Sequence, residues 1–432
     1  MRGSFTAQNK VLPGVYVNFQ AAQPLSIQVG QRGIVLLPLS MGWGEKGTLV
    51  CVNKDDDTRL TLGQAYNQIV PVREAMKNAR QVLVYKLNGG EAAQAEVVDG
   101  VTAKAAMPGS GGNRISLRLS DNQKGAFVAE TYLDGEEMDV QTIANFEEFQ
   151  NNGLVYLEGS GAAQAASVTL TGGSDAEVQT EDVEAFVKEA KKLFFHTMAY
   201  VEETEGAETA IKNFVREMRE EEGRKIQAVL ANQEADDEGI ISVCQGLVLE
   251  DGTQLTEGEV CAYVAGMTAG AAVNESCTNH TVQDAVDVAP RMTKTEMEDA
   301  VRKGMMVFRV DGSSRVSVVY DINTKISAST EGGQDMRKNR VVRVLDGIHD
   351  DIVSIFEGSY LGKVHNNADG RSLLKGSLVE YFQQLVEQNA IQGFNADDVT
   401  VEQGQDSDSV VITVAVSPVD SCEKFYITVN VN

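Results

Sequence analysis

The period of hydrophobic and polar positions changes several times along this chain. Its last residues, EKFYITVNVN, alternate strictly. Phe425, Ile427, Val429 and Val431 fall on one face, and Tyr426, Thr428, Asn430 and Asn432 on the other. β-branched and aromatic residues dominate, so the pattern predicts a strand. Near the start, KVLPGVYVNFQ alternates Val15, Val17 and Phe19 against Tyr16 and Asn18, between a Pro13-Gly14 turn signal and Pro24. A strand at each end needs a sheet to join, because a lone strand leaves its backbone groups unpaired. On the residues alone, pairing within the same subunit is the commoner outcome.

From Gly33 the pattern becomes α/β. GIVLLPL, TLVCV and QVLVYKL predict strands, and LGQAYNQIVPVREAMKNA predicts a helix interrupted at Pro71. Between about 92 and 172 the helical period vanishes. RISLRLS, GAFVAETYL, EEMDVQTI, GLVYLEG and ASVTLTGG predict short strands of a small inserted all-β module. From Thr180 the α/β pattern returns. VEAFVKEAKKLF and AETAIKNFVREMREEEGR predict helices, and TMAYV, KIQAVLA and GIISVCQGLVL predict strands. EVCAYVAGMTAGAAV, rich in Ala and Gly, suits a helix packed closely on a sheet. MVFRVDGSSRVSVVYDI predicts a hairpin turning at Asp311-Gly312.

After about residue 330, Val341, Val344, Leu345, Ile348, Ile352, Ile355 and Phe356 recur at helical spacing, as do Leu374, Leu378, Tyr381, Phe382 and Leu385. The strands DDVTVEQ, SVVITVAVSPV and KFYITVNV follow. The organisation expected is an arm at 1–30, an α/β domain at 31–91 plus 173–330, an inserted β domain at 92–172, an α+β domain at 331–421 and a terminal arm strand at 422–432.

Composition narrows the function. The chain has 432 residues, 42% hydrophobic and 23% charged, which suits a globular protein of more than one domain. Its net charge of −26 argues against nucleic acid and against anionic lipid as partners. No apolar run is long enough to span a membrane, and MRGSFTAQNK lacks the apolar segment of a secretory signal. The scattered cysteines (Cys51, Cys244, Cys261, Cys277, Cys422) form no CxxC, which fits synthesis in a reducing compartment.

Catalytic chemistry is hard to assemble. An Asp-His-Ser set can be drawn from Asp236 or Asp237, His280 and Ser276, but Ser276 lies in no GxSxG elbow. His349 beside Asp350 and Asp351 reads as a solvent face of a helix, and no two histidines have HxxxH spacing. EGSGAAQAAS lacks the Lys-Ser/Thr end of a phosphate loop, and NKDDDTRL lacks the Gly and Glu of a calcium loop. No catalytic, metal or cofactor residue is therefore assigned. One cluster stands out: MRKNRVVR places Arg337, Lys338, Arg340 and Arg343 at the start of a helix, where cations are disfavoured.

FTAQNKVLPGVYVNF, ADDEGIISV, VAGMTAGAAVNES, VVYDINT, KNRVVRVLDGIHDDI, YLGKVHNNADGR and DDVTVEQG together resemble contractile tail sheath proteins of myophages and phage-tail-like particles, in order and from end to end. The inserted module matches only in kind. The resemblance implies a non-catalytic subtilisin-like α/β domain with an inserted all-β domain, an α+β C-terminal domain and extended arms. It implies a structural subunit, not an enzyme, that polymerises as a helical tube around an inner tail tube and contracts. Its partners would be itself, the tube protein, and baseplate and tail terminator proteins, with no nucleic acid and no membrane insertion. It would be made in the bacterial cytoplasm and end in a tail.

Carried onto this sequence, the linking arms are Val15, Tyr16, Val17, Phe19, Phe425, Ile427, Val429 and Val431. The receiving sheet is Val399, Val401, Val411, Ile412 and Val414, and the tube contact is Arg337, Lys338, Arg340 and Arg343. A subtilisin-like hydrolase and a different strand-exchanging shell, such as a capsid or surface layer, remain alternatives.

Overall fold

A computed structural model describes residues 32–122, 125–327 and 336–431, together with the backbone of Arg2–Gly3 and Val15–Tyr16. Two compact units are present. The first, here the body, comprises residues 31–346 and 420–432; the second comprises 1–30 and 347–419.

The body is built on a seven-stranded sheet. Its order is Met305–Met306, Ile240–Val243, Gln227–Ala231, Thr197–Ala199, Ile34–Leu39, Gln81–Lys86 and Leu49–Val52. All neighbours are parallel except the last, which runs antiparallel. Helices cover both faces, so the central strands are continuously apolar. Val35, Leu37, Val229 and Ile241 pack with helices Val70–Met76 and Glu257–Gly270. Ile34, Leu36, Ala228 and Ile240 pack with Thr180–Ala190 and Ala207–Glu220 on the other face.

The Ala/Gly pattern of Glu257–Gly270 has a second reason besides the sheet. A Cβ at Gly266 would stand 2.2 Å from the Ala75 carbonyl oxygen, and one at Gly270 2.2 Å from that of Asn78. Two helices therefore meet backbone to backbone there. Thr256 caps this helix, its hydroxyl accepting from the Glu259 backbone N–H.

Several sequence expectations are corrected. LGQAYNQIVPVREAMKNA is not one helix: it breaks into a 3-10 turn at Tyr66–Gln68 and the helix Val70–Met76, with Ile69 extended between them, and Pro71 lies in the first turn of the second piece, where its missing N–H costs nothing. GIISVCQGLVL is not one strand. It splits into Ile240–Val243 and Gly246–Leu249, which belong to different sheets. Between them the buried Gln245 donates to the Pro290 carbonyl at 2.9 Å and accepts from the Phe308 N–H at 2.8 Å. Phe308–Val310 and Val316–Val318 form the expected hairpin, but its loop runs from Asp311 to Arg315, with Ser314 at φ 58°.

The insertion is a pair of sheets around one core. Glu136–Ile143, Phe127–Leu133, Ile115–Asp121 and Ala166–Thr169 form the larger, in that order. Val155–Glu158, Val101–Ala105 and Gln94–Val98 form the smaller. Ile115, Leu117, Ala129 and Ile143 meet Val101, Ala103 and Val155 between them. The sequence reading missed the Gln94–Ala105 hairpin, whose alanines and charges carry little strand signal.

The second unit carries most of the helix Asn339–Ile355, a π turn at Phe356–Tyr360 and the helix Ala368–Glu387. Leu374, Leu378, Tyr381, Phe382 and Leu385 are buried, and the Tyr381 hydroxyl donates to Asp351 at 2.9 Å. Val399–Gln403 pairs antiparallel with Val410–Val414, and Ile391–Gln392 with Ser417–Pro418. Among the described residues no helix is long and apolar enough to cross a membrane.

Candidate functional site

The final segment decides what kind of site this chain has. Residues 421–431 form no strand in the structure. Among the described residues the strand expected there has no partner, and its apolar face stands in solvent: Phe425 is 74% exposed, Ile427 81%, Val429 78% and Val431 92%. Side chains of that type are normally buried; a contiguous exposed row marks a contact surface.

The expected receiving sheet has two strands. Val399 lies opposite Val414, and Val401 opposite Ile412. Val399 is buried, and Val401, Ile412 and Val414 are half-buried. Val411 is exposed, on the opposite face from Ile412. It therefore belongs to the outer face, because alternate residues of a strand cannot share one side. A two-stranded antiparallel sheet has two edges, each able to take another strand. At the other end of the chain, Val15–Tyr16 pairs in parallel with Arg2–Gly3; Val17 and Phe19 lie outside the described residues.

The basic cluster behaves differently from expectation. Lys338 and Arg343 are buried in the body, not displayed on a surface. Arg343 donates to the Glu275 carbonyl at 2.6 Å and lies 3.6 Å from the Asp321 carboxylate. Lys338 pairs with Glu423 and with Asp420, the latter at 3.2 Å, and its ammonium sits 4.5 Å from the centre of the Tyr320 ring. Burial alone would lower the Lys338 pKa; the Glu423 hydrogen bond and charge outweigh it and hold the group above the ordinary lysine value. Arg340, half-buried, donates to the Ser421 hydroxyl. Arg219 makes a bidentate pair with Asp346 at 2.8 and 3.0 Å. Lys338 and Arg343 had looked misplaced at a helix start; Asp420 and Glu423 neutralise the first and Asp321 the second, and no local pattern announces that.

The imagined triad does not assemble. Ser276 donates to Glu423 at 3.0 Å, and no hydrogen bond joins it to His280. His280 Nε2 has no hydrogen-bond partner among the described residues. Asp236 accepts from the backbone of Ile326 and Ser327, and Asp237 from Gly239. His349 contacts its neighbour Asp350. Among the described residues, no group of His, Cys, Asp or Glu is placed to hold a metal ion.

Sequence profiles of tail sheath proteins match nearly the whole described chain. The phage tail sheath C-terminal domain matches 331–432, the central domain 176–324, the β-sandwich domain 88–175, and the N-terminal region of domain III of the tail sheath protein Gp18 32–87. The Phage-like element PBSX protein XkdK of Bacillus subtilis is 33% identical over 100% of this chain and 99% of its own length.

The chain belongs to the phage tail sheath protein family.

Among solved structures, the sheath tail protein of Desulfitobacterium hafniense is similar over 96% of this sheath chain and 99% of its own, with a TM-score of 0.88 and 38% identity. The helical sheath of the anti-feeding prophage, in its contracted state, shares the fold at 13% identity, with a TM-score of 0.58 over 98% of this chain and 99% of its own. The architecture is thus the sheath fold, with a β-sandwich domain and mixed α/β content.

Proposed function

We propose that this sheath protein is the repeating subunit of a contractile tail sheath. Copies form a helical tube around an inner tail tube and shorten to drive that tube through a target envelope. The protein acts as structure and not as catalyst, and the helix-flanked parallel sheet supports reading the body as a subtilisin-like layer without chemistry. It is made in the bacterial cytoplasm and works in the tail of a virion or tail-like particle, beside tube, baseplate and terminator proteins.

The observation that carries this reading is the solvent-exposed row Phe425, Ile427, Val429 and Val431 in a chain that also holds an open-edged sheet. Strand addition to a neighbouring copy satisfies both needs at once. Burial contributes roughly 1.5–3 kcal/mol gross for each of these side chains. Ordering costs about 1–2 kcal/mol per residue of backbone. The two nearly offset, so a single joint is weak and a lattice of repeated joints is not.

Electron microscopy of the full chain beside a version truncated after Glu423 tests this. Helical tubes are expected from the first and folded, unassembled subunits from the second. Tubes from both would remove the terminal strand from assembly.

Of the four cations expected at the tube, only Arg337 and Arg340 keep part of their surface. The tube-contact proposal is confined to them. Charge reversal at both sites that leaves extended tails stable in salt would end it.

A further inference from the structure

The terminal segment changes character at one residue. Ser421 and Glu423 turn inward, while Cys422 and Lys424 are exposed, the Lys424 ammonium lying 5.9 Å from the centre of the Tyr320 ring. From Phe425 onward every described residue is exposed. The docked part also belongs with the body, although residues 347–419 immediately before it do not.

Charge holds the docked part. Glu423 accepts from Lys338 and, at 3.0 Å, from the Ser276 hydroxyl. The Lys338 and Glu423 side chains are 6% and 8% exposed. Asp420 lies 3.2 Å from the same ammonium, and Ser421 accepts from Arg340. Lys338 directly precedes the helix Asn339–Ile355, so both carboxylates come to a helix start, where negative charge is favoured. A buried pair of this kind resists opening, because releasing one partner strands the other charge out of water. Among the described residues nothing comparable holds Phe425 to Val431.

We propose that Lys338 and Glu423 are positioning residues: they clamp the root of the terminal segment to its own body and so fix the point from which the free strand leaves to join a neighbour. The clamp gives the arm a defined start, and the last residues alone remain to search for a sheet. Its significance for assembly rests on the strand-exchange reading above; the clamp itself does not.

Trypsin reads the clamp directly. Cleavage after Lys424 releases the peptide FYITVNVN and requires Cys422 and Glu423 to lift from the body. The full-length Lys338→Met and Glu423→Gln variants are expected to release that peptide roughly tenfold faster than the parent, or more, with cleavage elsewhere unchanged. Lys338→Arg, which keeps the charge, is expected to stay near the parent. Equal release from parent and Lys338→Met would overturn the clamp. So would acceleration at all tryptic sites together in both variants, since the pair would then hold the fold and not the root.

Electron microscopy of Lys338→Met separates the two claims. Tubes at parental yield from a chain with a freed root would end the positioning role and leave strand exchange standing. Tubes from the chain truncated after Glu423 would instead remove strand exchange. Shortened, irregular or absent tubes from Lys338→Met alone, with Lys338→Arg restoring them, is the expected result.

Discussion

Two β-rich runs of this chain look alike in sequence and end differently. GIVLLPL becomes Ile34–Leu39, a strand buried along its whole length between two parallel neighbours and under helices on both faces. KFYITVNV, just as rich in strand-forming residues, remains without a ladder, its apolar side chains in water. The difference is not propensity. The body supplies every partner its strand needs from the same chain, whereas the terminal run finds none among the described residues of its own subunit. A strand is an interaction between segments, so its sequence states only half of the structure. The lesson extends to charge. Arg219 and Lys338 are satisfied inside the body by residues far along the chain.

That contrast can be broken at the body first. Arg219→Met removes the partner of the buried Asp346 and is expected to cost about 3–5 kcal/mol of folding stability, read by urea denaturation. A loss below about 1 kcal/mol would mean that the pair is screened like a surface one.

Acid should weaken the body next. His196 is buried, and burial, with Arg32 and Arg80 nearby, lowers its pKa to about 3. The unfolded chain takes up a proton near pH 6.5 and the folded chain does not, so this contribution is complete above that pH and is lost as pH falls toward 3. The expected loss is about 2 kcal/mol by pH 5. His196→Gln should flatten that part of the stability profile; an unchanged slope would assign it to other groups.

The smallest effect on folding should fall at the terminal run. Phe425→Ser with Ile427→Ser is expected to shift subunit stability by less than about 0.5 kcal/mol, since neither side chain is packed. The same pair should abolish tubes. A large fall in the subunit's melting temperature would show that these residues are buried at home in solution, and the comparison would fail.

Much of the fold was legible. Continuous apolar runs marked the central strands, and 3.6-residue spacing marked Thr180–Ala190, Ala207–Glu220 and Ala368–Glu387. Turn residues separated most strands of the insertion. What escaped depended on distant contacts. The Gln94–Ala105 hairpin is held by its place beside Val155–Glu158 more than by its own residues. The break at Gln245 depends on Pro290 and Phe308, which no reading of GIISVCQGLVL contains. For the assembly site, the alternation of the terminal residues was plain, but the clamp at its root was not. Lys338 and Glu423 are 85 positions apart, and nothing local pairs them.

By itself, then, the sequence determined periodicity: which residues share a face, and where helices and strands can begin. Periodicity is local, set by the backbone geometry of a few consecutive residues. The tertiary structure alone decided which cations are buried and neutralised, which face of Val410–Val414 is covered, and that the exposed apolar row begins at Phe425. Those outcomes depend on desolvation and on partners brought from elsewhere in the chain, and neither exists until the body has folded.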